Sequence, residues 1–447
     1  MASFDGNSDS PLHVLVVGGG LSGLATAISV SLAGHRATVF EAAPQPHPFG
    51  SGVVTCPNGT RLLSRWGIDE DVPDTGNHTS IAGWQLCDPL GTPLRQVLIA
   101  GDGGDDAKAH QGSLPPWTFH RVNLQLALLR RAQELGATVR FGARVTGLDD
   151  EDDDAGVTIQ LESGETHQGD LVVIAEGTNS RLRNVILDQP VDPVATGYVA
   201  YRITVDRSMV HDPALVTFMN AAGIRTWVGK GSYVSAFPMR RGAQLSMMVL
   251  IPHGQLPHGA TAAPEQELKD YFKKWDTLLP SMIDAAQRVN KWAAMHLLPE
   301  HCSPQGTCIL VGDAANTMSP FLNQGLSLDL EDAATIGCLL GHVHSTSQLP
   351  AATALYARLR NAQAKRVREE TAIFEKQLRD MAGGCINDEE SSAPGARSCS
   401  KLEYAQATSV HTTSTDFGDR TGRLAPEWMW SYDAYAEAEA AFKSDPF

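Results

Sequence analysis

Basic charge and long apolar runs are what this 447-residue sequence lacks most clearly. Lys and Arg number 35 against 51 Asp and Glu, a formal net charge of −16. Such a surface repels a phosphate backbone, so nucleic acid is excluded as a partner. No stretch approaches the ~18 apolar residues that a bilayer span requires. The opening Met1–Pro11 segment is polar and has no basic-then-apolar order of a secretion signal. Seven cysteines (Cys56, Cys87, Cys302, Cys308, Cys338, Cys385, Cys399) form an odd set without metal-type spacing, as expected of scattered buried thiols in a reducing compartment. These features predict a cytoplasmic protein with no metal and no membrane span, as a monomer or homodimer. No internal repeat is present. The apolar fraction of 42% is ample for a large core, and the length suits two or three domains.

The first ordered segment is the most informative. His13-Val14-Leu15-Val16-Val17 reads as a strand buried on both faces of a parallel sheet. Gly18-Gly19-Gly20-Leu21-Ser22-Gly23 follows, then an apolar helix to Leu32, then the strand Ala37–Phe40 closing on Glu41. Leu171–Ala175 and Cys308–Val311 are further buried strands, and Gly197–Leu250 changes to longer alternating strands of antiparallel type. The acidic run Asp149–Asp154 is a solvated hairpin tip, and Lys365-Arg366 with Arg368-Glu369 a solvated helix face. Helices are expected over Gly325–Gly341, Ala351–Met381 and Trp428–Phe442, with a loop or tail over Ser391–Arg423. The predicted class is α/β, with a discontinuous Rossmann-like domain (1–78, 116–190, 301–382). An antiparallel-sheet substrate domain is inserted in it (79–115, 191–300), and a C-terminal loop and helical segment follows (383–447).

Gly18, Gly20 and Gly23 make G-x-G-x-x-G at a strand-to-helix turn. The first permits the tight turn, the second lets a pyrophosphate approach the backbone, and the third packs helix on strand. Leu21 and Ser22 open the helix, whose positive end faces the anion. Glu41, eighteen residues past Gly23, is placed to accept both ribose hydroxyls and disfavours a 2′-phosphate, so the ligand at this turn is FAD or NAD and not NADP. Asp313, at the end of the Cys308–Val311 strand, can hold a polyol hydroxyl in the ligand crevice. Beyond Pro320, the helix starting near Gly325 and Leu326 points its amides at the ligand. Such an end would stabilise the negative charge of a reduced flavin.

These residues resemble the single-component FAD-dependent aromatic monooxygenases of the para-hydroxybenzoate hydroxylase type, in their salicylate-hydroxylase-like fungal branch. The likeness runs from the glycine turn to Trp428-Met429-Trp430-Ser431-Tyr432-Asp433. Gly50-Ser51-Gly52-Val53 with Pro57-Asn58 is similar to the family's segment beside the flavin ring. His120-Arg121 with Leu124 is similar to its H-R-x-x-L, implying that Arg121 reaches the FAD phosphate or ribityl region. Gly197-Tyr198-Val199-Ala200-Tyr201-Arg202 resembles the strand that opens the substrate sheet, implying catalytic roles for Arg202 and Tyr201. The resemblance implies non-covalent FAD, NADPH or NADH as transient reductant, and oxygen transfer from a C4a-hydroperoxyflavin. The implied acceptor is a bulky, electron-rich aromatic or indole-like small molecule, in secondary metabolism.

Several positions depart from the family pattern. Glu176 replaces an Asp, Asn316 a His, Asn323 the first glycine of a G-Q-G loop with Gln324 and Gly325, and Ser327 an Asn. Asp329 adds a carboxyl where small residues are commoner. An Asn at 323 either takes left-handed geometry and offers its amide to the flavin, or holds the loop away. Two alternatives therefore stand beside oxygenation: a flavin-bound cyclase, isomerase or oxidase, and a non-catalytic FAD-binding protein. No Trp-x-Trp-x-Ile-Pro segment supports halogenation.

Overall fold

The computed structural model describes residues 11–46, 50–68, 78–98, 114–149, 156–187, 190–255, 264–297, 301, 303, 305–381 and 426–447. Short apolar segments pair into a five-stranded parallel sheet ordered Cys308–Leu310, Leu171–Ile174, His13–Val17, Arg36–Glu41, Thr138–Phe141. Val14 and Val16 pack under helices on one face. Leu15 and Val17 pack under a three-stranded antiparallel sheet on the other. Burial on both faces explains the unbroken apolar runs. The helix Leu21–Leu32 leaves the first strand and crosses the helix Gly325–Leu340. The crossing is so close that a methyl on Gly337 would stand 2.0 Å from Ser29 Oγ.

Residues 83–98 and 194–296 build a seven-stranded sheet. It is antiparallel except at one junction, where Gly223–Gly229 runs parallel to Gly83–Cys87. The chain visits this sheet twice, and the two visits meet there without a hairpin turn to fix opposite directions. The strands Val145–Asp149 and Val157–Leu161 pair as the expected hairpin. Its acidic tip lies outside the described residues, as does the Ser391–Arg423 segment.

The last helix is two helices, Glu427–Ser431 and Ala434–Ser444. Asp433 separates them, because its carboxylate accepts from the amides of Tyr435 (3.1 Å) and Ala436 (3.2 Å) and caps a new start. Tyr435 then fastens this helix down: its hydroxyl accepts from Trp66 Nε1 at 3.0 Å and lies 3.2 Å from Ser29 Oγ. Arg368 is not on a solvated face either. It turns inward and donates to Asn316 Oδ1 at 2.6 Å.

The helices Gly325–Leu340 and Leu349–Met381 are joined by a buried ionic cluster. Arg360 Nε donates to Asp332 Oδ1 at 2.6 Å, and its guanidinium lies 3.0 Å from Glu331 Oε2. Asp332 Oδ2 accepts from the Gly312 amide at 2.9 Å, next to Asp313. Asn58 Nδ2 donates to Glu331 (2.7 Å) and to Gln324 Oε1 (3.0 Å). Arg360→Leu leaves two buried carboxyls without their cation and is expected to destabilise the fold by about 3–5 kcal/mol. Denaturant unfolding followed by tryptophan fluorescence measures this, and an unchanged midpoint would show the cluster to be dispensable.

Candidate active site

A cleft of about 840 Å³ lies between the parallel sheet and the large sheet. Its first wall is the glycine turn. Gly18 has φ +112°, and a Cβ there would stand 2.4 Å from Ala175 O. A Cβ on Gly23 would meet Gly18 O at 1.9 Å, so both positions admit only glycine for reasons internal to the fold. Gly20 differs, since a Cβ there would meet no protein atom within 4 Å. It opens onto the cleft, and the space beside it suits a ligand lying against the backbone. Glu41 also faces the cleft, but its carboxylate already holds the turn, accepting from Gly19 N (2.6 Å) and Ala43 N (2.7 Å). A carboxylate keeps further lone pairs for a hydroxyl donor.

The second wall follows the Cys308–Leu310 strand. Asp313 is open to the cleft, yet the protein around it pushes its carboxyl pKa up, against the pull of Arg121 and Arg202. Pro320, Asn323, Gly325 and Leu326 continue this wall to the start of the Gly325–Leu340 helix. Asn323 takes the left-handed conformation, with φ 53° and ψ 31°. Its side chain lies beside the Tyr233 hydroxyl, and its Nδ2 is buried without a well-formed hydrogen bond. The backbone thus keeps the glycine-like geometry.

The remaining departures have local reasons. Glu176 Oε2 accepts from Ser180 Oγ (2.8 Å) and the amides of Arg181 (3.1 Å) and Leu182 (3.0 Å), capping the helix Leu182–Ile186. Ser327 Oγ accepts from Cys56 N at 3.1 Å. A Cβ on the facing Gly59 would lie only 2.8 Å from that oxygen. The helix Pro57–Arg65 therefore meets Ser327 across a glycine.

The third wall belongs to the large sheet. Arg202 and Met248 are register partners there, and Ala200 pairs with Trp292, so all four line the cleft with Phe237. Arg202 Nη1 donates to Ser51 Oγ at 2.8 Å, and its guanidinium lies 5.5 Å from the Trp292 ring centre. Burial, with Arg121 nearby, lowers its pKa to about 10, which leaves it charged at neutral pH. Ser51 O accepts from Arg121 N at 2.9 Å, so one residue holds both arginines. Gly52 presses on the sheet: a Cβ there would stand 2.3 Å from Ser246 Cβ.

The cleft gathers Gly18, Gly20, Leu21, Ser22, Glu41, Gly52, Val53, Arg121, Arg202, Asp313, Pro320, Asn323, Gly325 and Leu326. Tyr201 is a correction. Strand alternation turns it to the opposite face, where its hydroxyl donates to Glu267 Oε2 at 2.7 Å at the edge of the large sheet's core. Gln324 is buried and turns its side chain to Asn58, and Gly23 serves packing. Phe237 and Trp292 reach the cleft without having been singled out from sequence, and Ser51 stands behind Arg202 as its hydrogen-bond partner. Only pairing register with Ala200 could have flagged Trp292, and that is long-range information.

A glycine turn, a strand-end Asp and a helix start around one elongated cleft define a flavin-nucleotide site. The FAD binding domain family matches residues 11–371, and the chain belongs to it. It is 32% identical to the FAD-dependent monooxygenase OpS4 of Beauveria bassiana (strain ARSEF 2860), over 98% of both chains. It is 30% identical to the 3-hydroxybenzoate 6-hydroxylase of Polaromonas naphthalenivorans (strain CJ2), over 80% of this chain and 87% of that one. Its fold matches that of CtdE in complex with FAD and substrate, with TM-score 0.76 at 19% identity, over 97% of this chain and 98% of that one. The protein is an FAD-dependent monooxygenase of a family of aromatic hydroxylases. No helix among the described residues is long and apolar enough to cross a membrane.

The residues present fit FAD, since the open face of Gly20 leaves the backbone free for a pyrophosphate and Asp313 is available to a polyol hydroxyl. Gly20→Val should fold normally, because no protein atom opposes the new side chain, and yet purify colourless. Flavin absorbance and a thermal melt check both halves. A yellow Gly20→Val protein would move the pyrophosphate elsewhere.

Proposed function

We propose that this protein uses NADPH or NADH and O2 to insert one oxygen atom into an electron-rich carbon of a small aromatic or indole-like metabolite. Its place is in secondary metabolism. Bound FAD supplies hydride acceptance and dioxygen activation. The chain supplies the surroundings. The start of the Gly325–Leu340 helix turns its amides toward the cleft, where they favour negative charge. Ala200, Phe237 and Met248 form an apolar wall that excludes water from an aromatic ring. Trp292 can stack on that ring.

The observation that carries this reading is Arg202. It is a charged donor on a largely apolar wall, held by Ser51 and Trp292 and with its Nε left without a protein partner among the described residues. That arrangement suits a substrate oxyanion or carboxylate, or charge developing during oxygen transfer. The left-handed Asn323 also favours oxygenation over a non-oxygenating activity. The loop keeps the backbone path that glycine would give it, which removes the steric motive for the alternative.

The test is aerobic turnover with candidate aromatics, reading substrate-stimulated NAD(P)H oxidation, O2 uptake and a product heavier by one oxygen. Product formation without NAD(P)H would overturn the proposal. Arg202→Ala should stay yellow and lose on the order of 10²-fold in coupled turnover. Tyr201→Phe should keep turnover, because its hydroxyl serves Glu267 on the far side of the sheet. Equal losses in the two variants would mean that Arg202 acts through sheet stability alone.

A further inference from the structure

The cleft contains one carboxyl that the family pattern does not account for. Asp329 lies in the second turn of the Gly325–Leu340 helix and lines the cleft with Ser22 and Asp313. Ser22 Oγ donates to Asp329 Oδ2 at 3.0 Å. Gly312 closes over this contact: a methyl there would stand 2.3 Å from Ser22 Oγ and 3.2 Å from Asp329 Cγ. Three segments therefore converge on a single carboxyl: the start of the glycine-turn helix, the strand-end turn before Asp313, and the helix that carries Asp329.

The charges facing Asp329 are unbalanced. Asp313 and Asp332 repel a second negative charge more strongly than Arg121 attracts it. Asp313 is matched by both Arg121 and Arg202. Asp332 is bound by Arg360 and the Gly312 amide. Among the described residues, Asp329 accepts a hydrogen bond from the Ser22 hydroxyl alone. Burial and its two acidic neighbours push its pKa well above the ordinary carboxylate range, and Asp313 beside it is raised as well. An ionised Asp329 would also oppose the diphosphate of FAD at the adjacent glycine turn. A neutral one is a hydrogen-bond donor pointing into the site.

We propose that Asp329 binds FAD as a neutral carboxylic acid, accepting from Ser22 and donating to an oxygen of the cofactor, so that FAD retention depends on protonation. Affinity is then complete while Asp329 is protonated in the free protein. It falls tenfold per pH unit once binding must take up a proton.

The FAD-loaded protein, diluted stepwise from pH 6 to 9, reports the dissociation constant through recovered flavin fluorescence. Titration calorimetry in two buffers of different ionisation enthalpy counts the protons. The wild-type Kd should rise at least tenfold across this range, with proton uptake on binding at the alkaline end. Asp329→Asn keeps a donor without a charge, so it should hold the pH 6 affinity throughout. Asp329→Ala should be equally flat in pH but bind several-fold more weakly than Asp329→Asn. A flat wild type with no proton uptake overturns the proposal without recourse to any variant. Equal slopes in wild type and Asp329→Asn overturn it by assigning the proton to another group. Tighter FAD binding by both neutral variants at pH 6 would show Asp329 to be a repulsive carboxylate there, and would also overturn it.

Discussion

The contact on which the cleft most depends is the buried pairing of Arg360 with Glu331 and Asp332. It bonds two long helices to each other, and through Asp332 it fixes the Gly312 amide one residue before Asp313. Through Glu331 and Asn58 it reaches Gln324, next to the left-handed Asn323. Both halves of the second cleft wall are therefore set from behind by one guanidinium. A buried ion pair is a poor source of net stability, but it tolerates very few alternative arrangements. That trade suits a wall whose backbone must approach a cofactor to within hydrogen-bond distance. It also explains why the altered residues at 316, 323 and 327 coexist with an intact cleft: each found a partner or a conformation without disturbing this frame.

Strand parity organises the other wall. Tyr201 and Arg202 are neighbours in sequence, but one enters a core with Glu267 at its edge and the other enters the cleft. The same alternation sends Met247 to the core and Met248 to the cleft. Side-chain chemistry at adjacent positions is uninformative here until the face is known, and only the pairing register supplies the face. Ser51 then couples this wall to the cofactor side, since its hydroxyl takes Arg202 and its carbonyl takes the Arg121 amide.

What was legible in the sequence was local. Gly18, Gly20, Gly23 and Glu41 could be read because a strand, turn, helix and acid follow one another within one stretch of chain, and Asp313 because it ends a buried strand. The break at Asp433 could have been read as well, since an Asp ahead of an alanine-rich run is a helix start. Trp292, Ser51 and Arg360 were not legible. Their roles come from contacts across 92, 151 and 28 residues of sequence respectively. The parallel junction between Gly83–Cys87 and Gly223–Gly229 is of the same kind, being a meeting of two distant passages that leaves no mark on either.

The Gly59–Ser327 contact has a consequence for anyone redesigning the cleft from behind. A Cβ at 59 would stand 2.8 Å from Ser327 Oγ and 3.1 Å from Ser327 Cα, so any larger residue there must push the helices Pro57–Arg65 and Gly325–Leu340 apart. Asn58, the preceding residue, is bonded to Glu331 and Gln324, so that separation would pull on the carboxylate cluster and on the loop beside Asn323. A substitution far from the lumen would thus be felt at the cofactor wall.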